Sequence, residues 1–193
     1  VAASAHATSD GLGADPATDH WLACLPPAHI GGLAVIMRSL ITGTELTVHE
    51  HFDPAAADQA AAEGVTLVSL VTRALNQVDI YGFRKVLIGG AAPPPDLPDH
   101  VIATYGMTET SGGCIFSGKN GPGTNFTLDP ADSRITLHGP SIASGYRPIG
   151  GRAFTPFNST FATDDFGVAD LIGQLEILGR LDDIVVINGV NIS

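Results

Sequence analysis

From residue 1 to about residue 104, short unbroken apolar runs alternate with longer stretches whose apolar positions return every three or four residues. The first texture predicts buried strands and the second helices. "HWLACL", "TELTVH", "VTLVSLV" and "KVLIGG" read as strands. "VAASAHATSDGLG" reads as an Ala-rich helix with a glycine stop, and "IGGLAVIMRSLITG" as a helix closed by Gly43. In "DPAAADQAAAEG", Asp53 is placed to cap a helix, with Pro54 at its first position and Gly64 at its end. A further helix is expected around residues 73–80, and the run Pro93-Pro94-Pro95 is expected to start another. Strands alternating with helices imply parallel strands joined by crossovers, hence an α/β layer over about residues 1–110. After residue 111 glycine and proline become frequent and no helical period persists. "RITLHG", "AFTP", "STFATDD" and "GQLEILGR" there read as strands of a smaller, barrel-like β-subdomain over residues 111–179.

Composition narrows the function classes. At 193 residues the chain has ample length for a real core, and its formal charge of −11 disfavours a nucleic-acid backbone or an anionic membrane surface as partner. No apolar run approaches the roughly 20 residues that a spanning helix needs. Cys24 and Cys114 lie far apart in no metal-ligand spacing, which reads as two buried thiols in a reducing, cytoplasmic setting. Both ends look cut, so the chain is expected to be the middle of a longer protein.

Ligand loops of parallel sheets collect at the carboxyl ends of strands, where "IGGAAPPP" and "TYGMTET" both fall. The second stretch offers hydroxyls at Thr104, Thr108 and Thr110 and a carboxylate at Glu109. Such hard oxygens suit phosphates and Mg²⁺, or equally a polar turn whose threonines satisfy their own backbone. Tyr105 offers a ring for stacking. "FATDDFG" sets Asp164 and Asp165 beside what reads as a turn glycine, and "GRLDD" adds the rigid fork of Arg180. "GCIFSGKN" nearly matches a phosphate loop, but Asn120 replaces the hydroxyl residue after Lys119 and "GPGTNF" cannot open a helix, so no phosphate cradle is expected there.

These stretches, in this order, resemble adenylate-forming enzymes, the acyl- and aryl-CoA ligases and their relatives. "TYGMTET" resembles their Y-G-x-T-E core and "TDDFG" their T-G-D-x-G motif, with Asp164 in place of glycine. "GRLDDIVVINGVNI" resembles the hinge motif, "GPSIASGY" a segment between, and "VLIGGAAPPP" and "LPPAHIGGL" two earlier ones. Within the family the resemblance is nearest to the branch that acts on the aromatic dicarboxylate o-succinylbenzoate, on "HIGGLAVIMRSLITGTEL", "YGMTETSGGC" and the "TDD" variant. The resemblance implies part of the large N-terminal domain of a ligase that uses ATP, Mg²⁺ and coenzyme A. Under it, Tyr105 packs beside adenine, Thr108 bonds phosphate, Glu109 holds Mg²⁺, and Asp165 with Arg180 binds the ribose. Gly89, Gly90 and Ala91 let backbone approach the adenine and acyl pocket, His29 lines the acyl site, and Asp182 is the hinge towards a C-terminal lid, with residues 180–193 as the hinge segment. Arg38 is expected to hold the substrate's second carboxylate, sharing a helix face with His29 nine positions earlier. The family's Ser/Thr/Gly-rich phosphate loop and lid lysine have no match in the chain, so the polypeptide by itself is expected not to turn over. Its exposed faces are compatible with a homo-oligomer.

Overall fold

A computed structural model describes residues 1–148, 150, 153–183, 185–187 and 190–192. Helices α1 (Ala2–Leu12), α2 (Ile30–Thr42) and α3 (Pro54–Ala62) alternate with strands β1 (His20–Ala23), β2 (Glu45–Val48), β3 (Leu67–Val71), β4 (Lys85–Gly89) and β5 (Val101–Met107). Antiparallel strands follow: β6 (Gly112–Phe116), β7 (Lys119–Asn120), β8 (Asn125–Leu128), β9 (Arg134–His138), β10 (Gly145–Tyr146), β11 (Thr155–Pro156), β12 (Thr160–Ala169) and β13 (Leu175–Arg180). A last pair is β14 (Val185–Ile187) and β15 (Val190–Ile192). Ile184, Asn188 and Gly189 of the hinge-like stretch lie outside the described residues.

A seven-stranded sheet runs in the order β2-β1-β3-β4-β5-β6-β7. Pairing is parallel as far as β4–β5 and antiparallel from β5–β6 onward, so the change of sequence texture near residue 111 marks a change of pairing. Period-two alternation sends Leu22, Val68, Val86 and Ile88 to the face covered by α3, and Trp21, Leu67 and Leu87 to the other with Val35 and Leu12. A separate core of Cys114, Ile115, Ile135, Leu137, Ile142 and Leu175 joins the first sheet to a four-stranded sheet ordered β13-β12-β9-β8. Tyr105 and Met107 of β5 pack against it, which brings the two sheets together at the site.

Helix α3 begins as its sequence dictates. The Asp53 carboxylate accepts from the Ala56 amide at 2.8 Å, and Pro54 occupies the first turn.

Other expectations are corrected. The helix expected at residues 73–80 is two 3₁₀ turns, Thr72–Gln77 and Ile80–Gly82, because Val78 is extended (φ −124°) and Asp79 caps a new turn. The proline run starts no helix: Asp96 sits at φ +57° and Pro98 bars its predecessor from helical backbone. "TDDFG" is no loop, since it lies within β12, although the strand's register shifts there, between Ala162 and Phe166 against β9 and between Phe166 and Gly167 against β13. Gly167 lies within that strand, where an added Cβ would collide with the Glu176 carbonyl of β13 and crowd Ile135 and Leu175 at 3.2 Å.

One ion pair with a buried carboxylate ties the chain start to the sheet. Asp19 accepts from Arg84 Nε at 2.7 Å and Nη2, from Thr66 Oγ1 at 2.8 Å and from the Asp15 amide at 2.8 Å. Burial pushes its carboxyl up, but these donors outweigh burial and hold it below its ordinary range. A depressed carboxyl stabilises the fold above its unfolded pKa and loses that contribution as pH falls through the folded one. Asp19→Asn is therefore expected to cost about 2–3 kcal/mol at neutral pH, less than a fully buried pair because Arg84 is partly exposed. Urea unfolding of both proteins should show that difference shrinking below about pH 4.

Candidate functional site

The heptapeptide "TYGMTET" divides at its centre. Residues up to Met107 complete β5, and Thr108–Thr110 form a 3₁₀ turn, so Tyr105 is a strand residue rather than part of the polar turn. The oxygens divide as well. Thr104 Oγ1 donates to the Ile88 carbonyl at 3.0 Å, and the buried Thr110 Oγ1 bonds Met107 N, Met107 O and Gly112 O at 2.8, 3.0 and 2.6 Å. Those two hydroxyls build the turn. Thr108 stands exposed and Glu109 half-buried at the tip.

Tyr105 reaches across to the other sheet, its hydroxyl donating to Asp165 Oδ2 at 2.6 Å. Burial and then this bond to a carboxylate push the phenol well above its usual range. Asp165 is paired across the strands with Arg180. Arg180 grips Asp182 with two parallel bonds, Nε to Oδ1 and Nη2 to Oδ2, each 2.8 Å, while Asp164 Oδ2 lies 3.8 Å away. The bond and charge of Asp182 raise the Arg180 pKa, and the Arg180 bond lowers that of Asp182. Tyr105 and Asp165 thus form one side-chain pair and Arg180 and Asp182 another, and the cross-strand pairing of Asp165 with Arg180 sets the two pairs next to each other. Two arginines, Arg134 (Nη1 to Asp164 Oδ1, 3.2 Å) and Arg180, flank Asp164 and make two adjacent carboxylates tolerable mid-strand.

Gly89 ends β4 beside Thr104 of β5, where an added Cβ would lie 2.8 Å from Thr104 Oγ1. The close approach is therefore to the protein's own threonine. Gly90 has φ +82° with open space around it, and Ala91 is exposed. The Thr72 hydroxyl donates to the Ala91 carbonyl at 3.3 Å.

The structure does not put His29 and Arg38 on one face. Nine positions at about 100° each leave two residues half a turn apart. His29 is the exposed N-cap of α2, whereas Arg38 is 4% exposed. Its guanidinium lies 4.6 Å over the Trp21 ring, with Nε and Nη1 unpartnered among the described residues. Desolvation brings its pKa down to about 10. Arg38 lines a void of about 30 Å³ with Ser4, Ile30 and Ser111, room for about one water. Lys119 sits in a β6–β7 hairpin turning on Ser117 and Gly118, both at positive φ, so no helix follows it.

Sequence reasoning missed Tyr146, whose hydroxyl donates to Glu109 Oε1 at 2.7 Å. The only available signal was its place at the end of "GPSIASGY". Among the described residues no three His, Cys, Asp or Glu side chains gather as a metal cage. A single half-buried carboxylate beside an exposed hydroxyl does fit Mg²⁺, which keeps waters and shares its shell with substrate phosphates.

Comparison with known proteins gives the family. The AMP-binding enzyme family matches residues 1–146, and the chain belongs to that family. It is 35% identical to the probable 2-succinylbenzoate–CoA ligase of Mycobacterium tuberculosis, covering all of this chain and 55% of that protein. It is 31% identical to the 2-succinylbenzoate–CoA ligase of Lactococcus lactis, covering 90% and 44%. The chain thus spans about half the length of these curated relatives. Among solved structures it is similar to o-succinylbenzoate coenzyme A synthetase (MenE) from Bacillus subtilis in complex with ATP and magnesium ion. That match has TM-score 0.84 and 25% identity over 98% of this chain and 47% of that one. Escherichia coli MenE with a bound analogue gives TM-score 0.79 and 28% identity, over 100% and 46%.

Because the folded pKa of Tyr105 lies above the unfolded value of about 10, its hydroxyl stabilises the fold fully below that pH. The contribution is lost as pH rises through the folded value. Tyr105→Phe is expected to lower stability by about 1–2 kcal/mol at pH 7. In an alkaline ultraviolet titration it should remove the tyrosine that ionises only with unfolding.

Proposed function

We propose that this chain is the nucleotide- and acyl-binding portion of an acid–thiol ligase, with o-succinylbenzoate as the acid. In the first half-reaction a carboxylate oxygen attacks the α-phosphorus of ATP and pyrophosphate leaves, giving an acyl-adenylate. In the second the thiol of coenzyme A attacks the acyl carbon, losing its proton, and AMP leaves. Catalysis of this kind rests on positioning and on stabilising developing phosphate charge. Mg²⁺, when bound, neutralises phosphate oxygens.

The observation that carries the reading is the Tyr105–Asp165 hydrogen bond, with Arg180 opposite Asp165 on the neighbouring strand and the Thr108–Glu109 turn following β5. Tyr105 would pack beside adenine, and Asp165, already oriented by Tyr105, would accept from both ribose hydroxyls with Arg180 assisting. The exposed Thr108 hydroxyl would bond phosphate and Glu109 would hold Mg²⁺. The Gly89–Ala91 backbone would line the adenine and acyl pocket. His29, exposed at the start of α2, would line the acyl entrance. Asp182, gripped by Arg180, would be the hinge, with residues 180–193 as the hinge segment between the body and a lid. ATP and coenzyme A as substrates accord with a cytoplasmic setting.

Arg38 supports the choice of acid. A buried guanidinium with two nitrogens lacking a hydrogen-bond partner among the described residues is costly, and an anion entering beside it would relieve that cost. A monocarboxylic acid has nothing to offer it, whereas the second carboxylate of o-succinylbenzoate does.

Two binding experiments test the reading. Calorimetric titration with AMP should show Asp165→Ala weakening affinity about 10–100-fold, with 2′,3′-dideoxy-AMP bound equally by both proteins; equal AMP affinities would overturn the ribose assignment. With the sulfamoyl-adenosine analogue of o-succinylbenzoate, the wild type should prefer the diacid about 30-fold or more over its counterpart lacking the ring carboxylate. Arg38→Met should abolish that preference, and its survival would remove o-succinylbenzoate as the assigned acid.

A further inference from the structure

Glu109 is held from one direction by the segment Ser141–Tyr146. The Ala143 amide donates to the Glu109 carbonyl at 2.7 Å, fixing the backbone of the turn. The Ser111 hydroxyl donates to the Ser141 carbonyl at 3.3 Å, tying the residue after the turn to the same segment. The Tyr146 hydroxyl then donates to Glu109 Oε1 at 2.7 Å, fixing the carboxylate itself. Main chain and side chain of one residue are thus both anchored to a segment more than thirty positions away.

The brace is itself braced. Strand β10 pairs with β11, Tyr146 lying opposite Thr155, and the Phe157 amide donates to the Ser144 carbonyl at 3.0 Å. The Tyr146 ring meets Phe157 edge-on at 4.8 Å, and Phe157 packs on Phe161 at 4.9 Å. Phe157 and Phe161 both lie against the core on which Tyr105 and Met107 also pack. Edge-to-face packing fixes a ring's direction as well as its place. The ring of Tyr146 is 54% exposed, so its burial adds little to the core. What its hydroxyl does is hold a carboxylate.

We propose that Tyr146 is a positioning residue for the divalent cation of this site: it orients Glu109 so that the carboxylate is aimed before metal and nucleotide arrive. The inference rests on the reading of Glu109 given above. The hydrogen bond engages Oε1, and Oε2 has no hydrogen-bond partner among the described residues, so a metal ion meets an oxygen on a carboxylate whose rotamer is already fixed. A free glutamate at an exposed turn loses side-chain entropy on coordinating a cation. Tyr146 removes part of that cost in advance, which tightens metal binding without touching metal or substrate.

Paramagnetic Mn²⁺ is the probe, because its binding to the protein–ATP complex is read directly from water-proton relaxation. Tyr146→Phe keeps the ring and its packing on Phe157. It is expected to weaken Mn²⁺ binding about three- to tenfold, with ATP affinity in EDTA and the melting temperature unchanged. In a Glu109→Gln background the same change should have no effect, since the two residues act as a unit. Unchanged or tighter Mn²⁺ binding in Tyr146→Phe, with Glu109→Gln still weakening it, would overturn the positioning role and leave the metal assignment standing. Equal losses of metal-free ATP affinity and metal affinity, with a lowered melting temperature, would show a structural residue and overturn it too. If Glu109→Gln itself left Mn²⁺ binding unchanged, the metal reading of Glu109 would fail and this inference with it.

Discussion

The Tyr105–Asp165 hydrogen bond joins the two sheets at the place where chemistry is expected. Tyr105 lies on β5, which pairs parallel with β4 on one side and antiparallel with β6 on the other. Asp165 lies on β12 of the second sheet, opposite Arg180. Were the phenol hydroxyl not matched to that carboxylate, a half-buried donor and a carboxylate would each lose a partner at the seam. The seam also sets the direction of everything beyond it: β5 ends two residues later, and the Thr108–Thr110 turn leaves from a fixed point.

A division of labour among oxygens follows. Thr104 and Thr110 spend their hydroxyls on the backbone of β4 and of the turn, and this keeps Thr108 and Glu109 at the tip. On the other side of the seam Arg180, opposite Asp165 on the neighbouring strand, grips Asp182 with two bonds and lies 3.8 Å from Asp164. That pair is exposed and therefore weak on its own. An arginine with several acidic neighbours is one whose partners a ligand can rearrange at small cost.

Much of the α/β layer was legible in the sequence because each signal was local. Asp53-Pro54 and Gly43 gave helix ends, and unbroken apolar runs gave buried strands. The order of the motif-bearing stretches gave the family. What escaped depended on partners distant in sequence. Two adjacent aspartates read as a turn, and only Arg134 and Arg180 from neighbouring strands make them tolerable within β12. The proline run read as a helix start, and the left-handed Asp96 followed by Pro98 ended that prospect. Arg38 and His29 were a matter of arithmetic: two and a half turns oppose residues instead of aligning them. Tyr146 gave no sign beyond its place at the end of "GPSIASGY", because that segment has no periodicity and its partner lies 37 positions away.

The central claim is that elements from both sheets converge on a single nucleotide. Titrating AMP into ¹⁵N-labelled protein and following backbone amides tests it most directly. The account predicts that amides of Gly89–Ala91, Tyr105–Glu109 and Asp165–Arg180 shift together and fit one dissociation constant. Shifts confined to the opposite sheet edge, around the cleft lined by His20, His49 and Glu63, or separate constants for the three segments, would contradict it.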